Sequence, residues 1–165
     1  MCGIVGVWQL DGRAVNPVAA EAMRDELVHR GPDDAGLWTE GSLSLGHRRL
    51  SIIDLSEAGR MPMASPDGEI RAVFNGEVYN FQALRSELKA EGHQFWSESD
   101  SEVVLRAYEE WGVECFDRFN GMFAVAIWDA RDERMVLARD VAGQKPLYYA
   151  YRPGEWLLFA STLAP

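Results

Sequence analysis

From Met122 to Ala160 the chain carries four short apolar runs: Phe123-Ala-Val-Ala-Ile-Trp128, Met135-Val-Leu-Ala138, Leu147-Tyr-Tyr-Ala-Tyr151 and Trp156-Leu-Leu-Phe-Ala160. Asp129-Ala-Arg-Asp-Glu-Arg134, a loop containing Gly143, and Pro153-Gly154 separate them. Runs of this length punctuated by turn residues read as antiparallel strands joined in hairpins. Upstream, Ile4-Val-Gly-Val-Trp8 reads as a buried strand, and Asn16-Pro17 supplies an N-cap and a first-turn proline for a helix through Ala20, Met23, Leu27 and Val28, ended by Gly31-Pro32. Leu43-Ser-Leu-Gly-His47 and Leu50-Ser-Ile-Ile53 read as strands, and Ile70-Arg-Ala-Val-Phe74 runs into Asn75-Gly76, a turn signal at which the backbone is expected to reverse. Asn80 can cap a helix that carries Phe81, Leu84 and Leu88 on one face, with Gly92 beyond its end. Ser99-Asp-Ser-Glu102 matches a capping box and opens a second helix burying Val103, Val104, Ala107, Tyr108 and Trp111, which puts Asp100 at a helix N-terminus. Strands with helices grouped between them predict an α+β layered architecture of packed sheets covered by helices, not a doubly wound one.

At 165 residues the chain is about one domain long, and with 47% hydrophobic and 25% charged residues it can bury a core without disulfides or a structural metal. Its net charge of −10 and the absence of a basic run argue against nucleic acid or an anionic membrane as partner. No apolar stretch approaches the roughly 20 residues of a membrane helix, and the N-terminus lacks a signal-type pattern, so a cytoplasmic location is expected. In a reducing compartment Cys2 and Cys115 are free thiols, and Cys115, in an apolar setting, reads as a small core residue. With three histidines, His29, His47 and His93, and no Cys/His pair at ligand spacing, no metal site is expected. The histidines read as loop and packing residues. Trp128, Tyr148 and Tyr149 alternate with small and aliphatic residues and read as core.

Cys2 directly follows the initiator methionine. Removal of Met1 leaves a cysteine with a free α-amine, so nucleophile and base share one residue. A thiol near pKa 8.5 and an α-amine near 7.7–8.0 exchange a proton at a cost of about 1 kcal/mol. In company with Cys2-Gly-Ile-Val-Gly6 stand His29-Arg-Gly-Pro-Asp33, His47-Arg-Arg-Leu-Ser-Ile-Ile-Asp54, Phe74-Asn-Gly-Glu-Val-Tyr-Asn80, Ser99-Asp100, Gly121-Met-Phe-Ala-Val-Ala126 and Arg139-Asp-Val-Ala-Gly-Gln-Lys-Pro-Leu-Tyr-Tyr149. Together, in this order, they resemble the class II glutamine amidotransferases, and most closely the N-terminal glutaminase domain of glutamine-hydrolysing asparagine synthetases.

That resemblance implies the N-terminal nucleophile hydrolase fold, a four-layer αββα sandwich of two antiparallel sheets flanked by helices, spanning residues 2–165 as one glutaminase domain. It implies Cys2 as nucleophile on the side-chain amide of L-glutamine, a glutamyl thioester, and release of ammonia for asparagine synthesis or a related amide-forming reaction. The Asn75 side-chain amide and the Gly76 N–H are implied as oxyanion donors, Arg49 as partner of the α-carboxylate, and Asp100, helped by Glu77, as partner of the α-ammonium. Backbone groups of Leu50, Ser51, Ile52 and Ile53 line the implied site. Arg48, next to Arg49 on a strand, faces the other way, and Arg30 shapes the pocket mouth or braces a loop. No cofactor is implied for these residues; ATP and Mg²⁺ belong to a synthetase domain, in cis or in trans, whose Ser/Gly-rich pyrophosphate loop is not found here. Two positions depart from the family's pattern: Thr162 stands where a glutamate is usual, and Val141 where an arginine is usual. The family usually continues past Pro165 through more glutaminase sheet, so the carboxyl end of the domain is expected to be cut short, and the valine at 141 is expected to alter local loop contacts or domain communication. Two other readings stay open, a glutamine-binding or regulatory module without turnover, and an N-terminal nucleophile hydrolase acting on a different amide.

Overall fold

The computed structural model describes residues 1–51 and 56–163. Nine strands and three α-helices follow in the order β1 (Gly3–Gln9), α1 (Pro17–Asp25), β2 (Asp34–Glu40), β3 (Leu43–Arg49), β4 (Met63–Ala64), β5 (Ile70–Val78), α2 (Phe81–Ala90), α3 (Asp100–Trp111), β6 (Gly121–Asp129), β7 (Arg134–Arg139), β8 (Tyr148–Arg152) and β9 (Trp156–Ala160) among the described residues. They form two antiparallel sheets, one ordered β2-β3-β1-β9-β8 and the other β4-β5-β6-β7.

The alternation of side chains along each strand distributes three apolar cores. Ile4, Leu45, Val73, Ala124, Ala126 and Phe159 meet between the sheets, where Trp8 and Trp128 also pack edge to face at 5.1 Å. On the outer face of the first sheet, Val7 packs with Ala20 and Met23 of α1. On the outer face of the second, Phe74, Val125 and Ile127 pack against Leu84, Leu88, Val104 and Tyr108 of α2 and α3. Helix, sheet, sheet, helix is the expected four-layer α+β sandwich, and each apolar face is buried once.

Several local expectations give way to pairing. Asn75-Gly76 makes no turn: β5 runs straight through it, with Asn75 opposite Ala124 and Gly76 opposite Phe123. Cross-strand pairing with β6 overrides the local turn preference of the dipeptide. Gly76 is required there by proximity, since a Cβ would come within 2.3 Å of the Met122 carbonyl oxygen. The C-terminal runs are two hairpins as expected, yet they part company: β6-β7 extends the sheet of β5, and β8-β9 extends the sheet of β1. As the outer edge of its sheet β8 is exposed along its length, so Tyr148 and Tyr149 are surface residues and not core. The edge strand β2, an unforeseen element, pairs with β3. Helix α1 stops at Asp25, short of Val28. Of the expected strand at Leu50–Ile53, Leu50 and Ser51 follow the end of β3 at Arg49 and are not strand, while Ile52 and Ile53 lie outside the described residues.

Candidate active site

Cys2 stands immediately before β1, whose Gly3 pairs with Arg48 of β3, so the thiol lies beside the end of β3. Its Sγ accepts from the Leu50 N–H at 3.4 Å and lies 3.6 Å from the Leu50 carbonyl oxygen, to which the thiol can donate. The Cys2 carbonyl accepts from Arg30 Nε at 3.0 Å. Arg30 therefore braces the start of β1 from the His29-Arg-Gly-Pro-Asp33 segment. The same segment is also tied to β3 and to the residues just after it. Arg48 Nε donates to the Gly31 carbonyl at 3.0 Å, and the Asp33 carboxylate accepts from the Ser51 N–H at 2.8 Å. A Cβ at Gly31 would fall 2.4 Å from the Arg48 carbonyl, so this grip admits only glycine.

Strand alternation sends Arg48 toward α1, where it pairs with Asp25, and Arg49 inward. Arg49 is buried, and its Nη1 donates to the Ser56 carbonyl at 2.8 Å. From the facing sheet come Asn75, Gly76 and Glu77, and from the first turn of α3 comes Asp100. These residues, with Cys2 and Leu50, line one cavity of about 100 Å³. Ser51 is not among its walls. Its other walls are Met1, His47, Gly59, Met61, Phe74, Ser99, Ser101, Met122 and Lys145.

Polar groups in this cavity are set by burial. The Asn75 Nδ2 is buried and has no hydrogen-bond partner among the described residues, a state that costs roughly 1–3 kcal/mol unless a ligand uses the donor. Asp100 accepts from the Val78 N–H at 2.9 Å. Burial pushes its carboxyl up to about 6 against the pull of backbone amides, and the nearby Glu77 adds to the rise. A buried carboxylate facing a second carboxylate asks for a cation. His47 Nε2 lies 3.1 Å from the Phe74 carbonyl, so that nitrogen carries the hydrogen. Burial pushes its imidazole down to about 4, helped by the neighbouring Arg49 charge, and the ring is neutral at ordinary pH. Cys115, by contrast, sits in the helix-side core with its thiol pushed up to about 12 by burial, and is inert as a nucleophile.

His47 and Lys145 escaped the sequence reading as cavity residues. The strand parity that turns Arg49 inward turns His47 inward too, and that signal was available. Nothing local marks Lys145. Among the described residues no three His, Cys, Asp or Glu side chains converge as metal ligands, and no helix is long and apolar enough to cross a membrane.

A thiol at the head of an inner strand, an orphaned amide and side chains of opposite charge thus share one cavity of a two-sheet sandwich. The chain belongs to the glutamine amidotransferase domain family, whose model matches residues 1–164. It is 42% identical, over 99% of its length, to asparagine synthetase [glutamine-hydrolyzing] 3 of Bacillus subtilis (strain 168), of which it covers 27%. It is 39% identical, again over 99% of its length, to asparagine synthetase [glutamine-hydrolyzing] 3 of Arabidopsis thaliana, of which it covers 28%. The chain thus spans about a quarter of the length of these curated relatives. Among solved structures, glutamine phosphoribosylpyrophosphate amidotransferase from B. subtilis superposes with a TM-score of 0.78 over 97% of this chain and 42% of that one, at 21% identity, a likeness of fold.

Proposed function

We propose that this chain is a glutaminase domain that hydrolyses L-glutamine to glutamate and ammonia through a Cys2 thioester. Once Met1 is removed, the Cys2 α-amine accepts the thiol proton and the thiolate attacks the side-chain amide carbon of glutamine. Negative charge moves to the amide oxygen, toward Asn75 Nδ2 and the Gly76 N–H. Collapse breaks the C–N bond, the protonated amine hands its proton to the departing nitrogen, and ammonia leaves. Water, deprotonated by the same amine, attacks the thioester, and glutamate departs as the thiol is restored. Arg49 holds the α-carboxylate, Asp100 with Glu77 holds the α-ammonium, and the backbone of Leu50 flanks the substrate. The ammonia serves an amide-forming synthetase domain, where ATP and Mg²⁺ would act, in cis or in trans. The family likeness and the charge pattern support this reading.

The observation that carries it is the buried, unpartnered Asn75 amide sharing a cavity with Cys2. An oxygen of a bound ligand would satisfy that donor. The test is glutamate release from L-glutamine by the chain whose intact mass shows that Met1 is gone. Cys2→Ala should abolish release while still binding glutamine by calorimetry, and Asn75→Ala should lower kcat about 10²–10³-fold. Glutamine binding without release from the processed, folded protein would replace the glutaminase reading with that of a binding module.

A further inference from the structure

Lys145 is about 95% buried, with 5% of its surface exposed, and lines the Cys2 cavity. Its Nζ donates to Met1 Sδ at 3.2 Å, and no carboxylate pairs with it among the described residues. The carboxylate nearest in sequence, Asp140, is spent on backbone, accepting from the amides of Phe123, Gln144 and Lys145 itself. A thioether is a weak acceptor, and a buried charge without an anionic partner is among the costlier features a fold can carry. Its retention therefore points to a partner that is absent from the unprocessed chain.

The other charged groups around Cys2 do not fill that role. Arg30 is held on the Cys2 carbonyl and Arg49 on the Ser56 carbonyl. Asp100 is held by the Val78 amide, and Glu77 stands beside it on the cavity wall. His47 is neutral and faces the Phe74 carbonyl. When Met1 leaves, Lys145 loses its one side-chain partner in the described structure, and the cavity it lines also holds the thiol of Cys2, the residue next to Met1.

We infer that Lys145 is a positioning residue for Cys2: its ammonium, freed from Met1 by N-terminal processing, becomes the fixed positive charge that stabilises the Cys2 thiolate. This deepens the glutaminase reading and rests on it for its purpose, although not for its measurement.

The test is alkylation of Cys2 by iodoacetamide across pH, resolved by peptide mass, on the full chain lacking Met1; buried Cys115 does not compete. Lys145→Met should slow alkylation at pH 7 about tenfold, the effect of moving the thiolate profile up by one pH unit. Lys145→Arg, which keeps the charge, should stay within about threefold of the unsubstituted protein. Lys145→Met should also melt no lower than the parent, because it removes an unpaired buried charge. Superimposable profiles, or a Lys145→Met chain that fails to fold, would overturn the inference and make the lysine structural. A shifted profile in a chain that releases no glutamate would leave Lys145 standing and remove the glutaminase reading. Release with unshifted profiles would do the reverse.

Discussion

Asp100 is a buried carboxylate on the cavity wall, held by the Val78 amide. It occupies the first turn of α3, where the helix N-terminus favours a carboxylate, yet desolvation outweighs that help and holds the group near 6. On the proposed reading, a bound ammonium would relieve that desolvated charge. If Asp100 holds the ammonium as proposed, below pH 6 a proton competes with it for the same carboxylate. Affinity for L-glutamine, measured by calorimetry on Cys2→Ala protein, should therefore rise up to tenfold per pH unit as pH climbs toward 6, and level off above it. Asp100→Asn should bind more weakly and lose that slope, at a cost of about 1.5–3 kcal/mol for a charge-assisted contact. An affinity that ignores pH between 4.5 and 7 would remove Asp100 from the ammonium site.

Among the elements, β5 carries the clearest consequence of placing a site inside a sheet. Asn75 can face Cys2 because β5 continues past it in register with β6, and that register needs Gly76 to let the Met122 carbonyl approach. Gly76→Ala should push β5 and β6 apart, costing roughly 1–3 kcal/mol in urea unfolding, and should lower glutamate release beyond what its stability loss explains. Wild-type turnover in a fully folded Gly76→Ala protein would show that the donor geometry does not depend on this contact. The N-terminus of α3 is built as the Ser99-x-x-Glu102 pattern predicts on one side only. Ser99 Oγ accepts from the Glu102 N–H at 3.2 Å, while the Glu102 carboxylate reaches back to the amides of Trp96 and Ser97 and to Ser97 Oγ at 2.6 Å. That carboxylate pins the segment leading into α3, and so helps hold Asp100 at the cavity.

For the whole molecule, two buried groups of the site pull stability in opposite directions over the same pH range. His47 has its folded pKa depressed from 6.5 to about 4, so its contribution is complete above 6.5 and is lost as pH falls through 4, worth ~3 kcal/mol. Asp100 has its folded pKa raised from 3.8 to about 6, so its favourable contribution is complete below 3.8 and is lost as pH rises through 6, again ~3 kcal/mol. In the parent protein the two effects largely cancel between pH 4 and 6.5. In urea unfolding compared at pH 4.5 and 7, Asp100→Asn should expose a steep loss on the acid side, and His47→Gln a gain there. Parallel pH profiles for the parent and both variants would show that neither group is desolvated as its burial implies.

Much of this architecture was legible in residues alone, because local patterns record local preferences. Asn16-Pro17 caps α1, the apolar spacing of Leu84 and Leu88 forms α2, and the runs after Met122 form β6, β7 and β9 close to their expected limits. Ordered motifs likewise brought Cys2, Arg49, Asn75, Gly76, Glu77 and Asp100 together as candidates, and the fold gathers those six on one cavity. What local pattern could not settle was decided by pairing between distant segments. Asn-Gly suits a turn as well as a strand under tight packing, and only β6 alongside makes it a strand. Alternating tyrosines suit a core strand as well as an edge, and only the place of β8 outside β9 exposes them. The inward side chain of Lys145 depends on where the loop after β7 crosses from one sheet to the other, a path with no short-range signature. Composition and spacing determine the elements, since those follow from backbone preference and apolar periodicity. Which side chains meet is decided by register and burial, which exist only once residues such as Gly3 and Arg48, far apart in sequence, are paired.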